Sequence, residues 1–122
     1  MESLLDIFIL ENSQLIEHLE QTVLSTEKCQ GIDGAVDEVF RIMHTIKGSA
    51  SMMRYENIAS LAHSIEDLFS HIRANGPGQF DNSRICDLVL SSIDFLKNEI
   101  SKLENEQAAD GDSFPYIQKI DA

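Results

Sequence analysis

The run Val36-Asp37-Glu38-Val39-Phe40-Arg41-Ile42-Met43-His44-Thr45-Ile46-Lys47-Gly48-Ser49-Ala50-Ser51-Met52-Met53 sets the fold class. Val36, Val39, Phe40, Met43, Ile46, Ala50 and Met53 recur at i, i+3, i+4, i+7, the spacing of a helix with one buried stripe. It predicts a helix B opening near Asp33, a residue suited to an N-cap. Upstream, Leu5, Phe8, Leu15, Leu19 and Val23 form one stripe of a helix A from Ser3 to Ser25, which ends before Gly31. Downstream, Ile58, Leu61, Ala62, Ile65, Leu68, Phe69 and Ile72 repeat the pattern in a helix C that stops at Asn75-Gly76-Pro77-Gly78. Helix D follows Asp81, Asn82 and Ser83, any of which could cap it, and carries Ile85, Val89, Ile93, Leu96, Ile100 and Leu103. Nowhere is there the period of two of a half-buried strand, so the expectation is an all-α, antiparallel four-helix bundle over residues 1–106. Residues 107–122, with Phe114-Pro115-Tyr116-Ile117-Gln118-Lys119-Ile120, read as a tail or a short fifth helix leading to a linker.

At 122 residues the chain suits one compact domain, and its 43% hydrophobic and 25% charged content is that of an ordinary globular protein. Nine Lys and Arg against 21 Asp and Glu leave a net charge of -12, which repels nucleic acid and anionic membrane faces and suits short-lived protein encounters. No apolar run reaches the roughly 20 residues of a membrane helix, so no membrane insertion is expected. Cys29 and Cys86 lie far apart without CxxC spacing, and no charged-then-apolar leader precedes helix A. The expectation is a reduced, cytoplasmic protein.

The chemistry is concentrated in helix B. At about 100° per residue, His44, Lys47, Gly48 and Ser51 share one strip at the flank of the apolar stripe, so the imidazole should reach solvent. Gly48 in a helix interior costs on the order of 1 kcal/mol relative to alanine. One turn after His44 it would leave the ring uncovered for another protein, while Lys47 at i+3 could place an ammonium beside a phosphate. From spacing alone a second reading stands beside this one, in which His44 is a surface histidine and Gly48 permits close helix packing. The turn around Met53 to Glu56 supplies an independent argument. In an antiparallel pair a residue about ten before the turn sits level with one about ten after it, which brings His44 to the region of His63 and Glu66. Glu66 could then accept a hydrogen bond from one imidazole nitrogen and leave the other unprotonated and nucleophilic.

His44-Thr45-Ile46-Lys47-Gly48-Ser49 resembles the H-[TS]-[LI]-K-G-x signature of histidine phosphotransfer domains, with Phe40-Arg41-Ile42-Met43 as the usual lead-in. Leu61-Ala62-His63-Ser64-Ile65-Glu66-Asp67-Leu68 and the opening Leu4-Leu5-Asp6-Ile7-Phe8-Ile9-Leu10-Glu11 are similar to the N-terminal domain of chemotaxis-type histidine kinases, as is the terminal Gly111-Asp112 with Ile117 and Ile120. The resemblance implies a phosphoryl carrier of a two-component system. His44 would be the phosphoacceptor, Lys47 the cation on its phosphoryl oxygens, Glu66 the partner that sets the tautomer, His63 a second member of that network and Gly48 the residue that keeps the site open. It implies a kinase ATP-binding domain and response-regulator receiver domains as partners, and no cofactor held here, since ATP and Mg²⁺ come with those partners. The family usually has glycine then phenylalanine at the turn into helix C, where this chain has Arg54-Tyr55.

Other classes fit less well. An enzyme acting alone would need a nucleotide loop or a serine or cysteine nucleophile motif, and none is present. A metal-binding bundle could converge on His44, His63 and Glu66, yet the Glu-x-x-His pairs of di-iron bundles are missing and Lys47 opposes a cation. A purely structural helical module leaves Gly48 beside His44 and Lys47 without a reason. Within the favoured class, a phosphorelay domain of a hybrid kinase or a free-standing carrier is the alternative.

Overall fold

A computed structural model describes residues 3–28, 35–75 and 81–121. It contains five helices: α1 (Leu4–Lys28), α2 (Val36–Met52), α3 (Glu56–Asn75), α4 (Asn82–Glu104) and α5 (Phe114–Asp121). There is no strand among the described residues. Cross-helix contacts run antiparallel for α1 with α2 and for α2 with α3. Asn12 of α1 meets Ser49 of α2 while His18 meets Glu38. His44 of α2 meets Glu66 of α3 while Asp37 meets Arg73. Asn57 of α3 reaches Glu99 of α4, and Glu20 of α1 binds Lys97 of α4. The most extensive interface joins α2 to α3, the pair that carries the site. The fifth helix anticipated in the tail is formed and packs mainly on α3, with Ile120 buried.

The apolar stripes meet in one core, in which Leu19, Val39, Met43, Ile46, Leu61, Ile65, Phe69, Ile93 and Leu96 are fully enclosed. The stripes are wider than the sequence reading drew them. Ile16, Ile42 and Phe95 are also buried, the last tilted against Tyr116 of α5 at 5.1 Å between ring centroids. Leu5, Leu15 and Phe40, placed in the stripes, are only half-buried.

Local chemistry explains the helix ends. Ser3 opens α1 with a reciprocal cap: its hydroxyl accepts from Asp6 N at 3.1 Å and its own N–H donates to the Asp6 carboxylate at 3.3 Å. The helix then runs to Lys28, past the expected end at Ser25. Asp33, the anticipated cap of helix B, lies outside the described residues, as do Gly76, Pro77 and Gly78. The N-cap position of α2 is Ala35, which forms no side-chain cap, and Asp37 and Glu38 place negative charge at the positive end of the helix dipole. Of the three candidates before α4, Asp81 is the cap, accepting from Arg84 N at 3.3 Å.

The α2–α3 turn fixes the register of the site. Tyr55 N donates to Ala50 O at 2.9 Å and Arg54 N to Ser51 O at 3.1 Å, the paired bonds of a Schellman closure. Arg54 therefore takes the left-handed conformation, φ 64°, that glycine adopts freely. Arginine meets the same geometry at a cost of about 1 kcal/mol. Tyr55 then lies on Phe8 of α1 with ring centroids 5.2 Å apart and ties the turn to the core.

Candidate functional site

His44, Lys47 and Glu66 form one cluster across the α2–α3 interface. His44 Nδ1 and Lys47 Nζ converge on the two oxygens of the Glu66 carboxylate, the imidazole on Oε2 and the ammonium on Oε1 at 2.7 Å. The carboxylate is nearly buried, with 9% of its side chain exposed, whereas the imidazole is 64% exposed. A carboxylate only accepts, so His44 Nδ1 carries the hydrogen. In the neutral ring Nε2 is then the nitrogen with a free lone pair, and it has no hydrogen-bond partner among the described residues. A buried anion holding an exposed imidazole in one tautomer is the arrangement of an oriented nitrogen nucleophile.

Burial raises the Glu66 carboxyl, but the hydrogen bonds from Lys47 and then His44 outweigh it and hold the group below its ordinary value. A carboxyl lowered on folding stabilises the fold above its unfolded pKa and loses that contribution as the pH falls through the folded value. The melting temperature should therefore decline as the pH drops below about 4.5, the ordinary glutamate value. Glu38, held low by His18 and Arg41 at the surface, titrates in the same window, so comparison with Glu66→Gln isolates the buried carboxylate. Its acid limb should be flatter, and limbs of equal slope would mean that Glu66 adds nothing to stability through its ionisation.

His63 stands beside this cluster rather than in contact with His44. Its Nε2 is 3.5 Å from Asp67 Oδ2 on the outer face of α3, and donor atoms of His63, Glu66 and Asp67 lie within 4.8 Å of one another. Among the described residues the group able to gather around a cation is thus His63, Glu66 and Asp67, and not the His44, His63 and Glu66 set weighed for the disfavoured metal-binding alternative. Both Glu66 oxygens are already engaged, so a cation there would compete with Lys47 and His44.

Gly48 is exposed, and a Cβ built on it meets nothing within 4 Å. The free domain does not need a glycine here for helix packing, which removes that explanation of the residue.

Three further features around the site were not foreseen from the sequence. The Phe40 ring lies parallel to the His44 imidazole, with centroids 6.4 Å apart and planes 9° apart, and the Arg73 guanidinium carbon sits 4.4 Å from the Phe40 centroid. Phe40 at i−4 from His44 was a legible neighbour, and the register that sets 44 against 66 also sets 37 against 73. Asn12, almost wholly buried, donates to Phe8 O at 2.9 Å and accepts from the Ser49 hydroxyl at 3.3 Å, bracing α1 against the turn that follows Gly48.

The Hpt domain family matches this chain over residues 3–106. The chain belongs to the Hpt domain family. Hpt domains are phosphotransfer modules, and this one is similar to a small portion of much longer proteins. It is 34% identical over 100 residues to the chemotaxis protein CheA of Borreliella burgdorferi, a match that takes in 82% of this chain and 11% of that protein. The CheA of Treponema pallidum is 35% identical over 96 residues, covering 79% of this chain and 12% of that protein. The sensor histidine kinase CheAY of Helicobacter pylori is 30% identical over 98 residues, covering 80% and 12%. The chain thus spans about one eighth of the length of these curated relatives. No solved structure matches it significantly. No described helix is long and apolar enough to cross a membrane.

Proposed function

We propose that this Hpt domain is the phosphoryl carrier of a chemotaxis kinase, with His44 as the phosphoacceptor. The observation that carries this reading is the pairing of His44 Nδ1–H with the Glu66 carboxylate, which leaves Nε2 as an accessible nucleophile. The Nε2 lone pair attacks the γ-phosphorus of ATP held by the kinase ATP-binding domain, and the bond to the ADP oxygen breaks. The ring gains positive charge as the P–N bond forms, and Glu66 stabilises it through Nδ1–H. In the second transfer an aspartate oxygen of a receiver domain attacks phosphorus, the P–N bond breaks and its electron pair returns to Nε2. Lys47, already at the site on Glu66, is the cation placed to meet the phosphoryl oxygens. His63 supports Glu66 from the outer side, and Gly48 leaves the approach to Nε2 open.

In this reading the domain alone is not an enzyme. ATP and Mg²⁺ come with the partner domains, and catalysis is largely positioning and electrostatics. Residues 1–106 form the carrier and 107–122 its extension toward a linker in a cytoplasmic kinase, in keeping with the names of the relatives. The test is to incubate the chain with a chemotaxis-kinase ATP-binding domain, Mg²⁺ and labelled ATP. The expected product is an acid-labile, base-stable phosphoramidate whose label passes to an added receiver domain. A folded chain that takes no label from several such kinase domains would overturn the reading.

Gly48→Ala separates stability from function. Alanine in an exposed helix interior should stabilise the domain by about 0.5–1 kcal/mol. The added methyl one turn from His44 should at the same time slow transfer about tenfold by holding the partner away from Nε2. Thermal melts and transfer rates check the two halves, and an unchanged rate would remove Gly48 from the site.

A further inference from the structure

We propose that Phe40 and Arg73 are positioning residues for the phosphoacceptor: the Arg73 guanidinium, the Phe40 ring and the His44 imidazole form a column that fixes the plane of the reacting ring. The inference rests on His44 being the phosphoacceptor and adds how its exposed ring is held.

The imidazole has one hydrogen bond, at Nδ1 to Glu66, and is otherwise largely open to water. One bond fixes one atom and leaves the ring free to rock about that contact, which moves Nε2, on the far side, the most. The missing restraint comes from Phe40, one turn earlier on the same helix face, where i and i+4 side chains meet. Its ring is parallel to the imidazole within 9°, at an offset separation of 6.4 Å between centroids.

Phe40 does not have the burial of a core residue. Its neighbours in the stripe, Val39 and Met43, are fully enclosed, whereas Phe40 is half-buried and turned toward His44. A half-buried aromatic ring at the edge of the core needs a further restraint on its open face, and Arg73 supplies it. The guanidinium carbon lies 4.4 Å from the ring centroid, within range of a cation–π contact, and Arg73 Nη1 donates to Asp37 Oδ1 at 3.2 Å. Asp37 stands one turn before Phe40 on α2. The end of α3 is thereby tied to the first turns of α2, with Phe40 gripped between. The α2–α3 interface holds the imidazole at two points, Glu66 at the nitrogen and Arg73 acting through Phe40 at the ring plane.

The test measures phosphorylation of the full chain by a histidine-kinase ATP-binding domain with Mg²⁺-ATP, separating kcat from KM for the carrier. Phe40→Leu should lower kcat about tenfold with KM unchanged, because a misaligned nucleophile binds as before and reacts more slowly. Phe40→Tyr keeps the ring and should stay within about twofold of wild type, a rescue that general loss of packing would not give. Arg73→Gln, at a half-exposed surface position, leaves folding untouched and should lower kcat about threefold. Combined with Phe40→Leu it should add nothing further, since Arg73 acts through the ring. A wild-type kcat in Phe40→Leu, a rise in KM alone, or no effect of Arg73→Gln should Phe40→Leu not fold, would each overturn the proposal. A folded wild-type chain that takes no label would bring down the phosphoacceptor reading itself, and this inference with it.

Discussion

Replacing His44 with glutamine is expected to abolish labelling by the kinase while leaving the bundle intact. The side chain is 64% exposed and its structural role is one hydrogen bond to Glu66. The amide of glutamine can donate to the same oxygen, so the buried carboxylate keeps a partner and the change in stability should stay within about 0.5 kcal/mol. What is lost is the imidazole nitrogen that Glu66 orients for attack, and Lys47, paired to Glu66 as an ammonium, cannot replace it. Glu66→Gln should behave differently. It keeps the nucleophile and loses the anion that sets the tautomer and stabilises charge on the ring, so labelling should persist but slow on the order of a hundredfold. Circular dichroism and labelling kinetics on the two variants give opposite signatures, an all-or-none loss and a graded one. Label retained on His44→Gln would move the phosphoacceptor to His18, His63 or His71 and dissolve the assignment.

The parts of the molecule legible in the sequence are those written in local periodicity. Met43, Ile46 and Ala50 fall on the buried side of α2 and His44 and Gly48 on its open side because a helix turns by a fixed angle per residue. The meeting of His44 with Glu66 followed from the same geometry carried across one short turn, since two antiparallel helices joined by a few residues have little choice of register. Legibility ended where contacts depend on the rotation of a helix among several neighbours. Ile16 and Ile42 lie at the edges of their stripes, and only the observed packing shows that those edges are covered. Phe95 is buried because α5 lies over it, and nothing in the periodicity of α4 announces a fifth helix on that flank. Arg54 is the opposite case. The sequence shows arginine where the turn geometry favours glycine, and the turn forms nonetheless, since the two Schellman hydrogen bonds and the packing of Tyr55 on Phe8 outweigh a strain of about 1 kcal/mol.

The least legible feature yields the largest expected change in stability. Glu99, on a helix face otherwise filled by Phe95, Leu96 and Ile100, is 1% exposed and cannot remain charged there without partners. It has three. Asn57 Nδ2 donates to Oε1 at 2.7 Å, the Gly111 backbone N–H donates to the same oxygen at 2.6 Å, and Lys102 Nζ lies 2.9 Å from Oε2. Asn57 Nδ2 also reaches Ala109 O and Gly111 O, so the segment between α4 and α5 is stapled to α3 across more than fifty residues of chain. Gly111 is required for this approach, because a Cβ there would stand 2.7 Å from Glu99 Oε2 and 2.8 Å from its carboxyl carbon. The carboxylate ends a flexible side chain, but it can move aside only by giving up the bonds that make its burial tolerable. Gly111→Ala should therefore cost about 2–4 kcal/mol and lower the melting temperature by roughly 10 °C. The loss should appear first as faster amide exchange in α5, whose N-terminal end the staple holds. Glu99→Ala removes both the anion and the clash, so Gly111→Ala should be nearly neutral in that background, a coupling of about 2–4 kcal/mol in a double-mutant cycle. Strict additivity would show that the methyl and the carboxylate do not meet, and that the fifth helix is held to the bundle by its apolar contacts alone.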